Sequence, residues 1–416
     1  MMFLPLIIYG LYEILVGDNK KWWILALGLF GVGNSHILSF IFAIFLVIII
    51  CLIFVVKLFR EKERMHKLLI SILASIVLCI GFYGPFMEQY FSGEYNANYF
   101  ESNVMKEMSA NLSDALNGDF KLGYLAYQED KDTADNPSFS LGIGLVIILL
   151  AGCMFITKKD RDKDSNKFMD SLFLIGAISF LFTTNLIPWN KLDLLKFIQF
   201  PFRFNIIATI CLSFVGAKCV YDFVSNKRDS IFILSFVILL FSGYLMSSVK
   251  PNMDGALSEK YWSIDKPESV MIGSDGLEIL GGREYVSKDT NVNDTKTYYY
   301  TDKKEIESYR DGKKLIYQFD GENNNDQVKV PLVYYKGYQA YLKTDDGKKY
   351  DLKVEKDKQT GQVLVSGGKG LKGTVTVEYK MTFIQGICYT ISTVALIGLV
   401  VYIIVYNRKE KKKKKK

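Results

Sequence analysis

Apolar residues in this chain come in long blocks, separated by short charged runs. The blocks lie near 1–17, 22–33, 36–56, 67–84, 139–157, 168–186, 204–223, 230–248 and 383–406. Each is read as a spanning or partly spanning helix, since crossing the hydrocarbon takes about 20 predominantly apolar residues. From 251 to 380 the pattern changes. Tyr298-Tyr299-Tyr300, the run Val328–Tyr335 and the alternation Gly373-Thr374-Val375-Thr376-Val377-Glu378-Tyr379 read as strands. Asp320-Gly321, Asp346-Gly347 and Gly367-Gly368 supply the turns between them.

The expected fold is an α-helical polytopic membrane protein of about eight or nine segments with a β-rich domain before the last helix. Residues 1–250 form the multi-pass domain, with an outer loop at 85–138 carrying helix-like apolar spacing around Val104–Phe120. A β-sandwich-like domain follows at 251–380, then a helix at 381–406 and a lysine tail at 407–416.

Charge sets the expected orientation. The basic stretches Lys57–Arg64, Lys158–Arg161 and Asn226–Arg228, and the tail from Asn407 onward, all fall in the cytoplasm if the segments alternate. The protein is then a plasma-membrane protein whose loop 85–138 and domain 251–380 are extracytoplasmic. The segment Trp22–Gly33 is too short to cross alone and ends in Gly31-Val32-Gly33-Asn34-Ser35-His36. Broken helices of this kind are tolerated where protein buries them or where they line a cavity. By the same alternation Met1 begins on the outer side, already within a helix, so the chain is expected to be the C-terminal portion of a longer protein.

The net charge of +7 does not indicate nucleic acid, because Lys411–Lys416 nearly accounts for it. All six cysteines fall inside apolar stretches, which excludes a disulfide framework in the polar block, and His36 and His66 alone cannot build a histidine-rich metal centre. No Gly-rich phosphate loop, Ser-His-Asp arrangement or metalloprotease helix is present.

The candidates that remain are polar groups at membrane depth, where they are expensive to keep. In Trp189–Ala217 a short amphipathic stretch ends in Gln199-Phe200-Pro201-Phe202-Arg203-Phe204, and a long apolar helix follows at once. Arg203 therefore sits near headgroup depth, either as an interfacial anchor or as a phosphate-binding cation. Pro201 suits the first turn of the new helix. His36 is either an ordinary helix-start residue beside a Ser cap or a donor to a phosphate. Glu88, with Gln89, lies just past the outer end of another segment, as an exposed acid or as a carboxylate for a metal or a sugar hydroxyl. Asp193 and Lys196 are spaced to pair with each other. Trp189 and the phenylalanines around Pro201 read as an aromatic belt or as a lining for substrate, with Gln89 and Gln199 beside them.

Several short motifs, in this order, resemble one family. They are Asn34-Ser35-His36, Gly84-Pro85-Phe86-Met87-Glu88-Gln89-Tyr90, Ser140-Leu141-Gly142-Ile143-Gly144, Ile198–Phe204 and Val330–Tyr338. They resemble bacterial membrane proteins labelled "6-pyruvoyl-tetrahydropterin synthase-related" and their YfhO-like relatives. The resemblance implies the GT-C glycosyltransferase fold, polyprenyl-phosphate-linked sugars as donors at the outer face, and catalytic acids in the first outer loop. Here the first connection, Asp18–Lys21, is short and reads as cytoplasmic.

On that reading Arg203 grips the lipid phosphate and His36 assists. Glu88 activates the acceptor hydroxyl, with a divalent cation as an optional cofactor. The partners are membrane lipid, the polyprenyl-phosphate sugar and a cell-envelope glycan acceptor held by the outer domain, with no nucleic acid. The alternative is a non-catalytic membrane scaffold whose outer domain binds a cell-envelope partner.

Overall fold

The computed structural model describes residues 2–18, 21–93, 109–112, 164–192, 195, 198, 200–224, 299–300, 306, 308–311, 313–321 and 326–414. The segments expected at 139–157 and 230–248, and most of Val104–Phe120, lie outside them. Eight helices are described: α1 (Leu4–Leu15), α2 (Trp23–Gly33), α3 (Ile37–Ile53), α4 (Val55–Arg60), α5 (Lys62–Tyr90), α6 (Asp164–Leu181), α7 (Asn205–Val224) and α8 (Phe383–Lys414). The chain forms two compact units. One is drawn from Met1–Cys79, Phe100–Trp262 and Val394–Lys416, the other from Ile80–Tyr99 and Ser263–Thr393.

In the first unit, Leu4, Ile7, Leu11 and Ile14 recur at helical spacing along α1 and are buried with Leu25 and Leu29 of α2, Phe42, Leu46 and Ile50 of α3, Phe168 and Leu172 of α6, and Leu212 and Val215 of α7. Glycine lets α1 and α2 close on each other. A Cβ at Gly10 would stand 2.5 Å from the main-chain nitrogen of Leu25, and one at Gly28 would stand 2.8 Å from that of Ile7. Small residues at such crossings are how apolar helices associate where lipid supplies no hydrophobic drive.

The opposite faces are equally apolar yet bare. Phe45, Ile48 and Leu52 of α3 and Leu69, Leu73 and Ile76 of α5 are exposed, an arrangement suited to lipid and not to water. Among the described residues three helices are long and apolar enough to cross a membrane, at Lys62–Tyr90, Pro201–Cys219 and Phe383–Lys413. The blocks expected at 1–17, 22–33 and 36–56 form helices of 12, 11 and 17 residues. At 1.5 Å per residue, the first two reach well short of the ~30 Å hydrocarbon thickness.

The second unit holds an eight-stranded antiparallel sheet in the order β1-β4-β7-β6-β5-β8-β3-β2. Its strands are β1 (Tyr299–Tyr300), β2 (Ser308–Asp311), β3 (Lys314–Asp320), β4 (Val328–Val333), β5 (Tyr338–Thr344), β6 (Lys349–Lys356), β7 (Gln362–Ser366) and β8 (Lys372–Tyr379). The inward residues of β3, β4, β5, β7 and β8 share one core: Leu315, Tyr317, Phe319, Val328, Val330, Leu342, Val363, Val365, Val375 and Val377. For one continuous sheet to bury a single face in this way, it must curl into a half-barrel. β6 lies between the two halves, and its side chains are the least covered. Pro331 falls inside β4, where it has no N–H to give, and the pairing with β7 shifts between Val330 and Val333.

α5 carries its last turns and α8 its first turns into this unit. A Cβ at Gly84 would lie 2.3 Å from the Cys388 sulfur, and one at Gly81 would lie 2.8 Å from Cβ of Ser392. The two helices therefore meet face to face through glycine.

Candidate functional site

Arg203 stands on a single 3-10 turn, Pro201–Phe204, that leads straight into α7. Phe200 before it is extended (φ −138°, ψ 127°), so the chain turns sharply and the proline begins the helical segment. The half-buried Arg203 folds back over this entry. Its guanidinium donates to the carbonyl of Ile198 at 2.7 Å and lies 4.8 Å from the Phe200 ring centroid. Phe200 in turn stacks on Phe202, centroids 5.3 Å apart and planes 11° apart. The guanidinium thus lies over an aromatic face while donating to a carbonyl, an arrangement poorly matched by Lys.

His36 is the N-cap of α3, with extended backbone (φ −161°, ψ 119°). Its Nδ1 accepts from the main-chain N–H of Ser39 at 3.2 Å, three residues on. Because Nδ1 is an acceptor, the neutral ring carries its proton on Nε2, which is therefore a donor. The imidazole is itself the cap, a role the sequence reading gave to the neighbouring serine. Ser35 instead donates to the carbonyl of Gly31 at 2.6 Å. The helix that His36 caps packs against the turn that bears Arg203, through Phe42 and Phe204 with centroids 5.0 Å apart.

Trp189 is buried, and its indole N–H donates to the carbonyl of Thr184 at 3.1 Å. Its ring packs edge-on to Phe182 (5.9 Å) and tilted against Phe204 (6.0 Å), and Phe204 meets Phe42 at 5.0 Å. Trp189 therefore braces the turn that bears Arg203 and is covered by protein. Beside it Asn185 donates to the Asn111 side-chain oxygen at 2.7 Å, and Ala110 bridges Thr184, which ties residues 109–112 to the end of α6. Gln199, Asp193 and Lys196 lie outside the described residues.

Helix direction places these groups at one end of the first unit. α3 runs from Ile37, just after its His36 cap, to Ile53, and the charged segment follows at the far end. There Lys57 pairs with Asp164, and Arg64 donates to the carbonyls of Ile14 and Gly17 at 2.7 and 2.8 Å. At that same end an open cleft of about 630 Å³ is lined by Glu13, Asp18, Lys21, Tyr406, Glu410 and Lys411.

Glu88 and Gln89 belong to the second unit. The Glu88 side chain is only 4% exposed, with one oxygen 3.3 Å from the Lys336 ammonium and the other accepting from the Thr382 hydroxyl at 2.6 Å. Gln89 donates to the Lys336 carbonyl at 2.6 Å and accepts from the Lys336 N–H at 2.9 Å. The sequence reading missed Lys336, Tyr379, Thr382 and Gln385. The one local signal was Thr382-Phe383-Ile384-Gln385, the pattern of a capping box. No group of three or more His, Cys, Asp or Glu side chains that could hold a metal ion occurs among the described residues.

Apolar helices with bare apolar flanks, charged at one end, define a multi-pass membrane protein. The chain belongs to the YfhO family: the model of bacterial membrane protein YfhO matches residues 1–406. No curated protein and no solved structure matches it.

Proposed function

We propose that this chain is a GT-C-like membrane glycosyltransferase. It uses a polyprenyl-phosphate-linked sugar at the outer face and modifies a cell-envelope glycan. The observation that supports this reading is the seat of Arg203: a cation at a helix entry, laid over Phe200, on a turn that packs against the helix capped by His36. A lipid phosphate needs a cation at headgroup depth and an apolar wall for its tail. Arg203 supplies the charge, His36 donates through Nε2, and the apolar helices around them face the chain of the lipid. In this reading eight or nine segments cross the membrane, the end bearing Lys57 and Arg64 is cytoplasmic, and the sheet domain lies outside.

Glu88 is left out of the chemistry, because its two oxygens are engaged by Thr382 and Lys336. That engagement favours a second reading, a scaffold whose sheet domain binds a cell-envelope partner. Deletion of the gene separates the two. The transferase reading predicts accumulation of a polyprenyl-phosphate sugar and loss of one envelope substituent, restored by the wild-type chain and not by Arg203→Ala. Unchanged lipid-sugar levels in the deletion strain would favour the scaffold.

A further inference from the structure

Six side chains at the end of α5 and the start of α8 close a ring of polar contacts. Gln89 reaches the Tyr379 hydroxyl (3.3 Å), to which Gln385 donates at 2.9 Å. Gln385 and Thr382 form a reciprocal capping box at the start of α8. The Gln385 N–H donates to the Thr382 hydroxyl oxygen at 3.2 Å, and the Thr382 N–H donates to the Gln385 side-chain oxygen at 3.3 Å. The Thr382 hydroxyl donates onward to Glu88, Glu88 holds the Lys336 ammonium, and the Lys336 main chain returns to Gln89.

The ring joins three pieces of chain. Glu88 and Gln89 come from α5, Thr382 and Gln385 from α8, and Lys336 and Tyr379 from the sheet. Lys336 precedes Gly337, which has φ +124° and whose carbonyl accepts the Lys380 N–H at 2.9 Å, so the β4–β5 turn is itself pinned to the end of β8. A Cβ at Gly337 would stand 2.6 Å from the Lys380 carbonyl oxygen, so this turn demands glycine.

We propose that this ring is a clasp that fixes the orientation of the sheet on the last turns of α5 and the first turns of α8. Between β8 and α8 the chain passes through only Lys380–Thr382. One short covalent link still allows rotation about its backbone dihedrals, and a second, non-covalent attachment through α5 removes that freedom. Ile80–Tyr99 of the helical region belongs to the same compact unit as the sheet. The buried carboxylate suits such a role. It is matched by a cation and a hydroxyl, and removal of either partner leaves a charge stranded with little solvent. Glu88 and Gln89 are then positioning residues that hold the sheet to the last turns of α5 and the first turns of α8. This inference rests on neither functional reading.

The test is the distribution of distances between paramagnetic labels at Met87→Cys and Lys343→Cys, both exposed, in the full chain in nanodiscs with its native cysteines replaced. The clasp predicts one narrow distribution that at least doubles in width in the pair Glu88→Gln, Gln89→Ala. The amides of Val375 and Val377 should keep their protection from hydrogen exchange, which shows that the sheet remains folded. An unchanged width with those amides protected overturns the proposal, as does a broad distribution in the parent. Should the pair fail to fold, Lys336→Met and Thr382→Val each remove one arm. Both should broaden the distribution, and no change in either overturns the clasp.

Discussion

Gln89 and the main chain of Lys336 are bonded in both directions, the amide of one donating at 2.6 Å and accepting at 2.9 Å. A side-chain amide that gives and takes in this way reproduces the pairing of a neighbouring strand. It satisfies a turn that no strand covers. Gln89→Ala should lower the stability of the sheet by about 1–2 kcal/mol, the sum of two ordinary hydrogen bonds. Hydrogen exchange at the Lys336 amide checks this, with a loss of protection in the variant.

Trp189 should be the most sensitive position around the Arg203 turn. Trp189→Ala empties a buried site against Phe182 and Phe204 and orphans the Thr184 carbonyl. A loss of about 3–5 kcal/mol is expected, as for other large aromatic truncations. Thermal unfolding in detergent would show it, and Trp189→Phe should recover much of the loss.

Gly10→Val should separate α1 from α2. The added Cβ would overlap the Leu25 main chain, which is too rigid to retreat. Overpacking of this kind costs about 1–3 kcal/mol. Disulfide trapping between cysteines introduced on the facing helices should lose efficiency, and a substitution at the exposed Leu52 should leave it unchanged.

Asp357 gives the sheet an acid-sensitive point. Burial pushes its carboxyl up, but hydrogen bonds from Thr360 and the Lys329 ammonium at 3.0 Å outweigh that and hold it below the ordinary value of 3.8. A depressed carboxyl contributes stability that is fully present above its unfolded value and is lost as pH falls through the folded one. Below about pH 4 the sheet should therefore weaken, and Asp357→Asn should flatten that dependence. Acid titration of the sheet amides by hydrogen exchange in the full chain measures both.

The sequence made much of this architecture legible, for identifiable reasons. Apolar blocks mark helices whatever their packing, and alternation such as Thr374-Val375-Thr376-Val377 marks a strand half-buried in a sheet. Arg203 stood out because a cation beside an unbroken apolar run is costly, and the structure adds its neighbours Phe200 and Ile198. Partners far apart in the chain stayed hidden. Nothing local in Glu88 announces Lys336 or Thr382, which come side by side only because β5 pairs with β8, Tyr338 opposite Tyr379. Of the two readings open for His36, the one that set it beside a serine cap gives way, because serine is the commoner N-cap and only the backbone geometry shows the imidazole taking that place. Helix length was legible at 22–33, which the sequence shows to be too short to cross alone, and hidden at 1–17, where an apolar block of full spanning character forms a helix of only 12 residues.

The central claim is that Arg203 holds a lipid phosphate, and binding of a radiolabelled polyprenyl-phosphate sugar to the detergent-purified chain tests it most directly. Saturable binding is expected, weakened by at least tenfold in Arg203→Ala, which is about 1.4 kcal/mol. Lys in its place should restore only part of it, because an ammonium lacks the planar fork. Equal affinity in the wild type and Arg203→Ala, with both folded, would contradict the account.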